Sequence, residues 1–321
     1  MRYLITSLGE ILFDFLPIEE QQATVGFRMY PGGSPFNIAM GTARLGRRAA
    51  LMCKVSTDFF GRQLQQKLLA ERLDPRFVIT TDAPTTLAFV AIEHNEPAYA
   101  FYGDYAADTL LTVDELPAAL FEETAIFHIG SISLLRGTTA NTALEAFAQL
   151  KGRALLTIDP NIRPTLIRDQ DAYRAHLARA FALADLVKIS AADLSWLVPG
   201  QAVETAAQTL LAHGPALVVV TLGGEGAFVL RRGEPEAEVW RVPQFTVRVQ
   251  DTVGAGDAFQ SGLLASLDLQ QVTSRAALLA LPRESVAEAL RFASAVAAIT
   301  VTRVGADPPT IGDVAAFLAN E

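Results

Sequence analysis

The chain has 321 residues, 50% of them apolar, a net charge of −9 and a sequence pI near 5.1. Such a chain can bury the core of one large α/β domain or two small ones, and no linker is visible. The acidic balance excludes a nucleic-acid partner or an anionic membrane surface, which need clustered Lys and Arg, and leaves small-molecule chemistry. Cys53, the single cysteine, lies in the apolar run 49–55, so it forms no intrachain disulfide and reads as a buried structural thiol in a reducing cytoplasm. The N-terminal stretch is not read as a signal peptide, because Glu10 and Asp14 interrupt it and no small-residue cleavage site follows. The apolar run 292–302 is too short to span a bilayer, so a soluble protein is expected.

Residues 3–8 and 11–15 read as short strands, the second alternating in polarity as in a sheet with one solvated face. By pattern alone, Asp14 is an exposed strand-end acid. The segment P-G-G-S-P-F-N-I-A at 31–39 then leads into a helix through Ala43 and Leu45. Its paired glycines permit a ligand to approach the backbone, Ser34 is placed to cap, and Pro35 to take the first helical position. Asn37 falls in the first turn, where it either faces water or, if buried, needs partners of the kind a polyol supplies. The segment V-S-T-D-F-F-G at 55–61 ends a strand and enters a helix carrying Leu64, Leu68 and Leu69.

From 85 to 101 strands return, with Leu87, Phe89 and Ala91 on one face and Tyr99 and Phe101 after a turn at H-N-E-P, residues 94–97. Beyond them, buried strands at 126–129, 155–158, 186–189 and 217–221 alternate with helices such as 141–150 and 202–212. That is the pattern of a parallel sheet with helical crossovers. Ligands of open α/β sheets collect beyond the C-terminal strand ends, so the polar residues there are candidates. They are D-P-N-I-R at 159–163, S-A-A-D at 190–193 and T-L-G-G-E-G-A at 221–227. As plain structure, the first is an Asp-Pro turn with a surface arginine and the last a tight turn between strands. The chain has neither a dinucleotide G-x-G-x-x-G fingerprint nor a G-x-x-x-x-G-K-[ST] loop, and its histidines show no metal-ligand spacing.

The chain is organised around D-T-V-G-A-G-D-A-F at 251–259. Gly254 and Gly256 allow a tight turn that brings successive N–H groups to one side, and Phe259, Leu263, Leu264 and Leu267 continue as a helix. A glycine-rich entry into a helix is a ready phosphate site, since first-turn amides lack partners and carry the positive end of the dipole. Asp257 inside that turn would repel a resting phosphate, yet it is placed to take a proton from an attacking hydroxyl. Anion cradle plus base is the layout of a phosphotransferase. Residues 291–302 read as an alanine-rich packed helix that closes the chain's core.

This stretch resembles the C-terminal signature of the ribokinase-like (PfkB) carbohydrate and nucleoside kinases. The earlier run resembles their N-terminal signature at Gly32, Gly33, Asn37, Ala39, Ala43, Leu45 and Gly46. The resemblance implies a three-layer α/β fold with a mostly parallel central sheet flanked by helices, in a single kinase domain over 1–321. A small β-sheet lid is expected from about 11–30 and 85–105. It implies Asp257 as catalytic base, with the Gly254, Ala255 and Gly256 amides as the anion hole. Asp14, Gly33, Asn37, Phe101, Asp159 and Arg163 are implied at the sugar. Ser190, Thr221, Gly223, Gly226 and Gly256 are implied at ATP, with magnesium organised in part by Asp193. Asp251 and Val253 would house a monovalent cation such as potassium. Both ends of the family's N-x-x-E motif are substituted here, by Ser190 and Asp193.

The substrate order implied is a neutral ketose such as fructose, then 2-keto-3-deoxygluconate, then ribose or a nucleoside: many fructokinases and 2-keto-3-deoxygluconate kinases have an arginine where Gly103 stands, available to an anionic or hydroxyl-rich substrate end, and its absence weakens the acidic-sugar reading. A homodimer through the lid is also expected. The competing classes are a sugar or nucleotide sensor with a kinase fold, against which the intact Asp257 argues, and a dehydrogenase, which lacks its fingerprint.

Overall fold

The computed structural model describes residues 4–20, 23–93, 96–234 and 239–321. Its strands in chain order are β1 (Leu4–Leu8), β2 (Leu12–Glu20), β3 (Ala23–Gly32), β4 (Ala49–Ser56), β5 (Val78–Thr81), β6 (Leu87–Glu93), β7 (Glu96–Tyr102), β8 (Thr124–Gly130), β9 (Leu155–Asp159), β10 (Leu186–Ser190), β11 (Leu217–Thr221), β12 (Ala227–Arg231) and β13 (Trp240–Val242). Nine of them form one sheet in the order β13-β12-β11-β10-β9-β8-β1-β4-β5. It is parallel from β5 to β11, with β12 and β13 antiparallel at the edge.

The helices are α1 (Ser34–Arg44), α2 (Phe59–Ala70), α3 (Ala118–Glu123), α4 (Gly137–Leu150), α5 (Gln170–Leu183), α6 (Ala191–Leu197), α7 (Val203–Ala212), α8 (Ala255–Leu269), α9 (Arg275–Ala280), α10 (Arg283–Thr300) and α11 (Ile311–Leu318). Strand alternation divides them into two layers. Leu156, Ile158, Val187, Ile189, Val218 and Val220 pack with Phe147, Leu177, Leu194 and Leu210, from α4 to α7. Ile126, Leu155, Leu186, Leu217 and Val219 pack the opposite face against Ile38 of α1, Phe259 and Leu263 of α8, and Leu290 of α10. Apolar strands covered on both sides are what a parallel sheet with crossover helices requires.

The remaining strands make a small separate sheet in the order β3-β2-β6-β7. Two antiparallel hairpins meet through a short parallel pairing of Phe13–Phe15 with Leu87–Phe89. Strand β2 runs to Glu20, past the expected end at 15. Pro17 is tolerated within it because β6 pairs only as far as Phe15, so no partner on that side needs its missing N–H. The predicted turn at His94 and Asn95 lies outside the described residues, while Glu96 and Pro97 already belong to β7. Helix α10 starts eight residues before the expected 291, directly after Pro282. Val286, Ala289, Leu290 and Ala293 continue the buried stripe at helical spacing ahead of the alanine-rich part. Cys53 is buried among Leu51, Val55 and Leu64, and burial pushes its thiol pKa up, as an inert core thiol requires.

Candidate active site

Helix α8 packs against α1 and α10 with its N-terminus at the C-terminal edge of the large sheet. Gly254 takes the left-handed conformation at its N-cap, φ 74°, and a Cβ there would lie 2.6 Å from that of Ala306. Only glycine fits both demands. The first turn brings Asp257 to a buried position where α1 meets it. Ser34 Oγ donates to Asp257 Oδ1 at 2.6 Å, and Asn37 Nδ2 donates to Oδ2 at 2.8 Å. Burial pushes the Asp257 carboxyl above the usual carboxylate range, against the pull of these two donors. A carboxylate oriented by two donors and more basic than usual suits a general base.

The two signature motifs, separated by more than two hundred residues of chain, therefore meet in two hydrogen bonds. Ser34 was expected as a helix cap; the N-cap is instead Gly33, and the Ser34 hydroxyl binds the aspartate. The turn at Gly32-Gly33 explains the approach. A Cβ on Gly32 would overlap Asp14 Oδ2, and Gly33 has φ 106° with the Glu10 carbonyl 2.6 Å from any Cβ.

These groups line a cavity of 320 Å³, at the small end for a small-molecule site. Asp14, Gly33, Asn37, Phe101, Asp159 and Arg163, expected at the sugar, and Gly254, Ala255, Gly256 and Asp257, expected as anion hole and base, all border it, together with Val253, expected at a monovalent cation. Glu10, Leu12, Leu16, Ser131, Ile132 and Asn161 border it too and were not anticipated as site residues, apart from Asn161. Glu10 is fully buried, takes hydrogen bonds from the amide and hydroxyl of Ser133, and is pushed by burial up to about 7. Asp14, also raised by desolvation, sits at about 6, with Arg163 pulling it down. Arg163 Nη1 donates to Asn161 Oδ1 at 2.6 Å.

Among the described residues, two buried atoms that belong to this lining have no protein partner, Asn37 Oδ1 and Asp159 Oδ1. Buried polar atoms require partners, and the hydroxyls of a polyol would supply them. Gly103 lies off this lining. The Arg136 guanidinium lies against it and donates to its carbonyl, with Asp104 and Asp108 near the charge. The cavity's arginine is thus Arg163 alone among the described residues.

Of the residues expected at the nucleotide, Gly256 borders the cavity, while Ser190, Thr221, Gly223 and Gly226 lie apart from it. Thr221 ends β11, and Gly223–Glu225 form a single exposed turn before the antiparallel β12, so the tight-turn reading of this segment also holds. Gly226, φ 88°, has the Val242 carbonyl 2.2 Å from a would-be Cβ. Ser190 caps α6 by accepting from the Asp193 amide, and Asp193 Oδ1 accepts from the Ile162 amide. Asp193 thereby ties α6 to the 159–163 loop, and desolvation raises its pKa. Asp251 Oδ1 accepts from the Val253 amide and Oδ2 from the Gly305 amide, which joins the loop before α8 to the end of α10. No group of three His, Cys, Asp or Glu suited to a metal is found among the described residues. No helix among them is long and apolar enough to cross a membrane.

Residues 3–311 match the pfkB family carbohydrate kinase description. The chain belongs to that family. Fructokinase-1 of Zea mays is 36% identical over 322 residues, covering 98% of this chain and 97% of its own. The crystal structure of a fructokinase from Xylella fastidiosa with bound ATP superposes at a TM-score of 0.91 with 30% identity, covering 100% of this chain and 99% of that one. A fructokinase double mutant from Vibrio cholerae, in a form bound to fructose, ADP and a potassium ion, gives 0.84 with 29% identity, covering 99% and 97%. This kinase accordingly has the ribokinase-like α/β fold and is a sugar phosphotransferase.

Proposed function

We propose that this kinase transfers the γ-phosphoryl group of MgATP to the terminal primary hydroxyl of a neutral ketose, fructose first. In this reading 1–321 acts as a single kinase domain, with the small sheet from 11–30 and 85–105 as its lid. The observation that carries it is Asp257, clasped by Ser34 and Asn37 beside the first turn of α8 in the wall of a cavity rich in polar side chains. Asp257 takes the hydroxyl proton. The new O–P bond forms as the bond from phosphorus to the β,γ-bridging oxygen breaks, and ADP leaves with that electron pair. The amides from Gly254 to Asp257 meet the charge spread over the transferred group.

Asp14, Gly33, Asn37, Phe101, Asp159 and Arg163 hold the sugar. Thr221, Gly223, Gly226 and Ser190 hold the nucleotide, with Gly256 between the two. Magnesium would come with the ATP phosphates, and Asp193, which accepts from the Ile162 amide, would help to hold it directly or through water. The Asp251 loop is the place for potassium, supported by the ion in the Vibrio cholerae relative.

Four carboxyl groups, Glu10, Asp14, Asp159 and Asp257, and one guanidinium, Arg163, border the cavity, and behind its wall Asp159 has a further cation, Lys188, in an ion pair. That balance favours a neutral polyol over a sugar acid. Sugar-dependent ADP release across fructose, ribose, 2-keto-3-deoxygluconate and adenosine tests the assignment. A kcat/KM for the acidic sugar tenfold above that for fructose, about 1.4 kcal/mol, would reverse the order of substrates, and no ADP release with any sugar would leave a sensor.

Two chains are inferred to pair through the outer face of the small sheet. Phe15 stacks on Phe89 there, with Phe27 and Tyr102 edge-on to Phe89 and exposed, and Met29 beside them. Such a patch marks an interface on a protein surface. The demand for ATP and the lone buried thiol support work in the cytoplasm.

A further inference from the structure

The face of the large sheet beneath α8 is apolar except for one polar row. Ser7, His128 and Thr157 stand in register on β1, β8 and β9, and the pairing of Thr157 with Leu186 brings Lys188 alongside Asp159 just beyond them. His128 Nδ1 shares a 2.9 Å hydrogen bond with Thr157 Oγ1, and burial drives its pKa down to about 3, so the ring is neutral wherever the enzyme works. Lys188 is 3% exposed and Asp159 2%. Their ion pair is 2.6 Å long. A buried pair of this kind costs more to desolvate than it returns in general stability, so its presence asks for a local reason.

The reason lies in where the ammonium sits. A Cβ added to Gly256 would come within 3.0 Å of Lys188 Nζ, so the missing side chain of Gly256 leaves the space that the ammonium fills, directly behind the amides of the anion hole. Asp159 borders the cavity, and its other oxygen is buried without a protein partner. A bare carboxylate there would repel both the transferred phosphoryl group and the ionised form of Asp257.

We propose that Lys188 is a positioning residue for phosphoryl transfer. Its ammonium neutralises Asp159 at the cavity wall and sets a buried positive charge against the back of the Gly256 turn, where negative charge accumulates as the phosphoryl group moves. The proposal rests on the reading of Asp257 as the base. The groups that face Asp257 are Ser34 and Asn37 from α1, Asp14 from β2, Asp159 from β9 and Lys188 from β10. Glu10 and Arg163 border the same cavity. Of these, Lys188 is the cation that acts on Asp257, and it offsets Asp159.

The test is steady-state kinetics against pH of Lys188→Met, using a sugar that the wild type phosphorylates. The expected result is a fall in kcat on the order of tenfold, smaller than the roughly 10²–10³ lost with a direct oxyanion donor, with the sugar KM within about twofold. Its acid limb should move to higher pH, because the unpaired Asp159 holds the proton on Asp257. A wild-type kcat with an unmoved limb would overturn the proposal, as would parallel changes in kcat and sugar KM, which mark a merely structural role. Should Lys188→Met fail to fold, Asp159→Asn with Lys188→Met removes both charges and is compared with Asp159→Asn alone. A lower kcat in the double variant supports the role, and equal kcat ends it. Asp257→Asn, run beside them, separates the readings: full turnover there removes the base and with it the acid-limb argument, whereas a lost Asp257→Asn activity with an unchanged Lys188→Met overturns the role of Lys188 alone.

Discussion

Two regions are built differently, the cavity beside Asp257 and the turn at Gly223. At the end assigned to the sugar, three carboxyl groups are fixed by residues from other parts of the chain, Asp257 by Ser34 and Asn37, Glu10 by Ser133 and Asp159 by Lys188, while Arg163 is held locally by Asn161. At the end assigned to the nucleotide, Gly223 and Gly224 are exposed and a Cβ on Gly223 would meet nothing within 4 Å. The proposed function accounts for the difference. Proton transfer and phosphoryl charge require donors held in place before the substrate arrives, which a buried network provides. Binding an adenine nucleotide across a surface turn requires only shape and free amides.

The contrast breaks first at Asp257. Asp257→Asn should lower kcat by about 10²–10⁴ while circular dichroism and the thermal midpoint stay near wild type, since an amide can still accept from Ser34 or Asn37. Turnover at the wild-type rate in this variant would remove the base from the mechanism.

Asp14→Ala comes next. Loss of a charged acceptor for sugar hydroxyls is worth about 1.5–3 kcal/mol, so the sugar KM should rise tenfold or more with a smaller change in the KM for ATP. Because Asp14 titrates near 6, the wild-type sugar KM should also climb as pH falls through that value, and the alanine variant should lose this dependence. A pH-independent KM in the wild type would place Asp14 outside the sugar contacts.

Glu10 sharpens the comparison through stability. Its pKa is about 7 in the folded chain against an ordinary 4.5, so the folded state holds the proton more tightly. The resulting stabilisation is complete below about 4.5 and is lost as pH rises through about 7. Glu10→Gln, which needs no proton, should therefore be the more stable protein at pH 8, by up to about 3 kcal/mol, and should match wild type near pH 4. Denaturant melts at the two pH values decide it, and equal stability at pH 8 would show that Glu10 ionises without cost.

The smallest effect is expected at the exposed turn. Gly223→Ala places a side chain at φ 57° in open space, a backbone cost of about 1–2 kcal/mol that should raise the KM for ATP a few-fold and leave the sugar KM unchanged. A larger change in the sugar KM would mean that the two ends are coupled.

The sequence by itself determined the family, the fold class and most of the cavity lining. Glycine-defined turns, helix starts and strand ends are local, and their residue types follow from backbone geometry that can be read without neighbours. D-T-V-G-A-G-D-A-F announced a helix N-terminus, and Gly254 at φ 74° is its cap. The helix start at 283 was less legible, because what marks it is the buried stripe through Val286 and Leu290, not the alanines that follow. Only the tertiary structure decided which polar groups meet. Ser34 looks like a cap in sequence, yet its hydroxyl binds an aspartate far along the chain. Lys188 is one charge inside an apolar strand, and nothing nearby says that Asp159 and the bare Cα of Gly256 surround it. Glu10 likewise gives no local sign that Ser133 will hold it. Such pairings are set by the register of parallel strands and by the seating of α1 against α8. Both arise from packing between segments far apart in sequence, which leaves no trace in the spacing of either one.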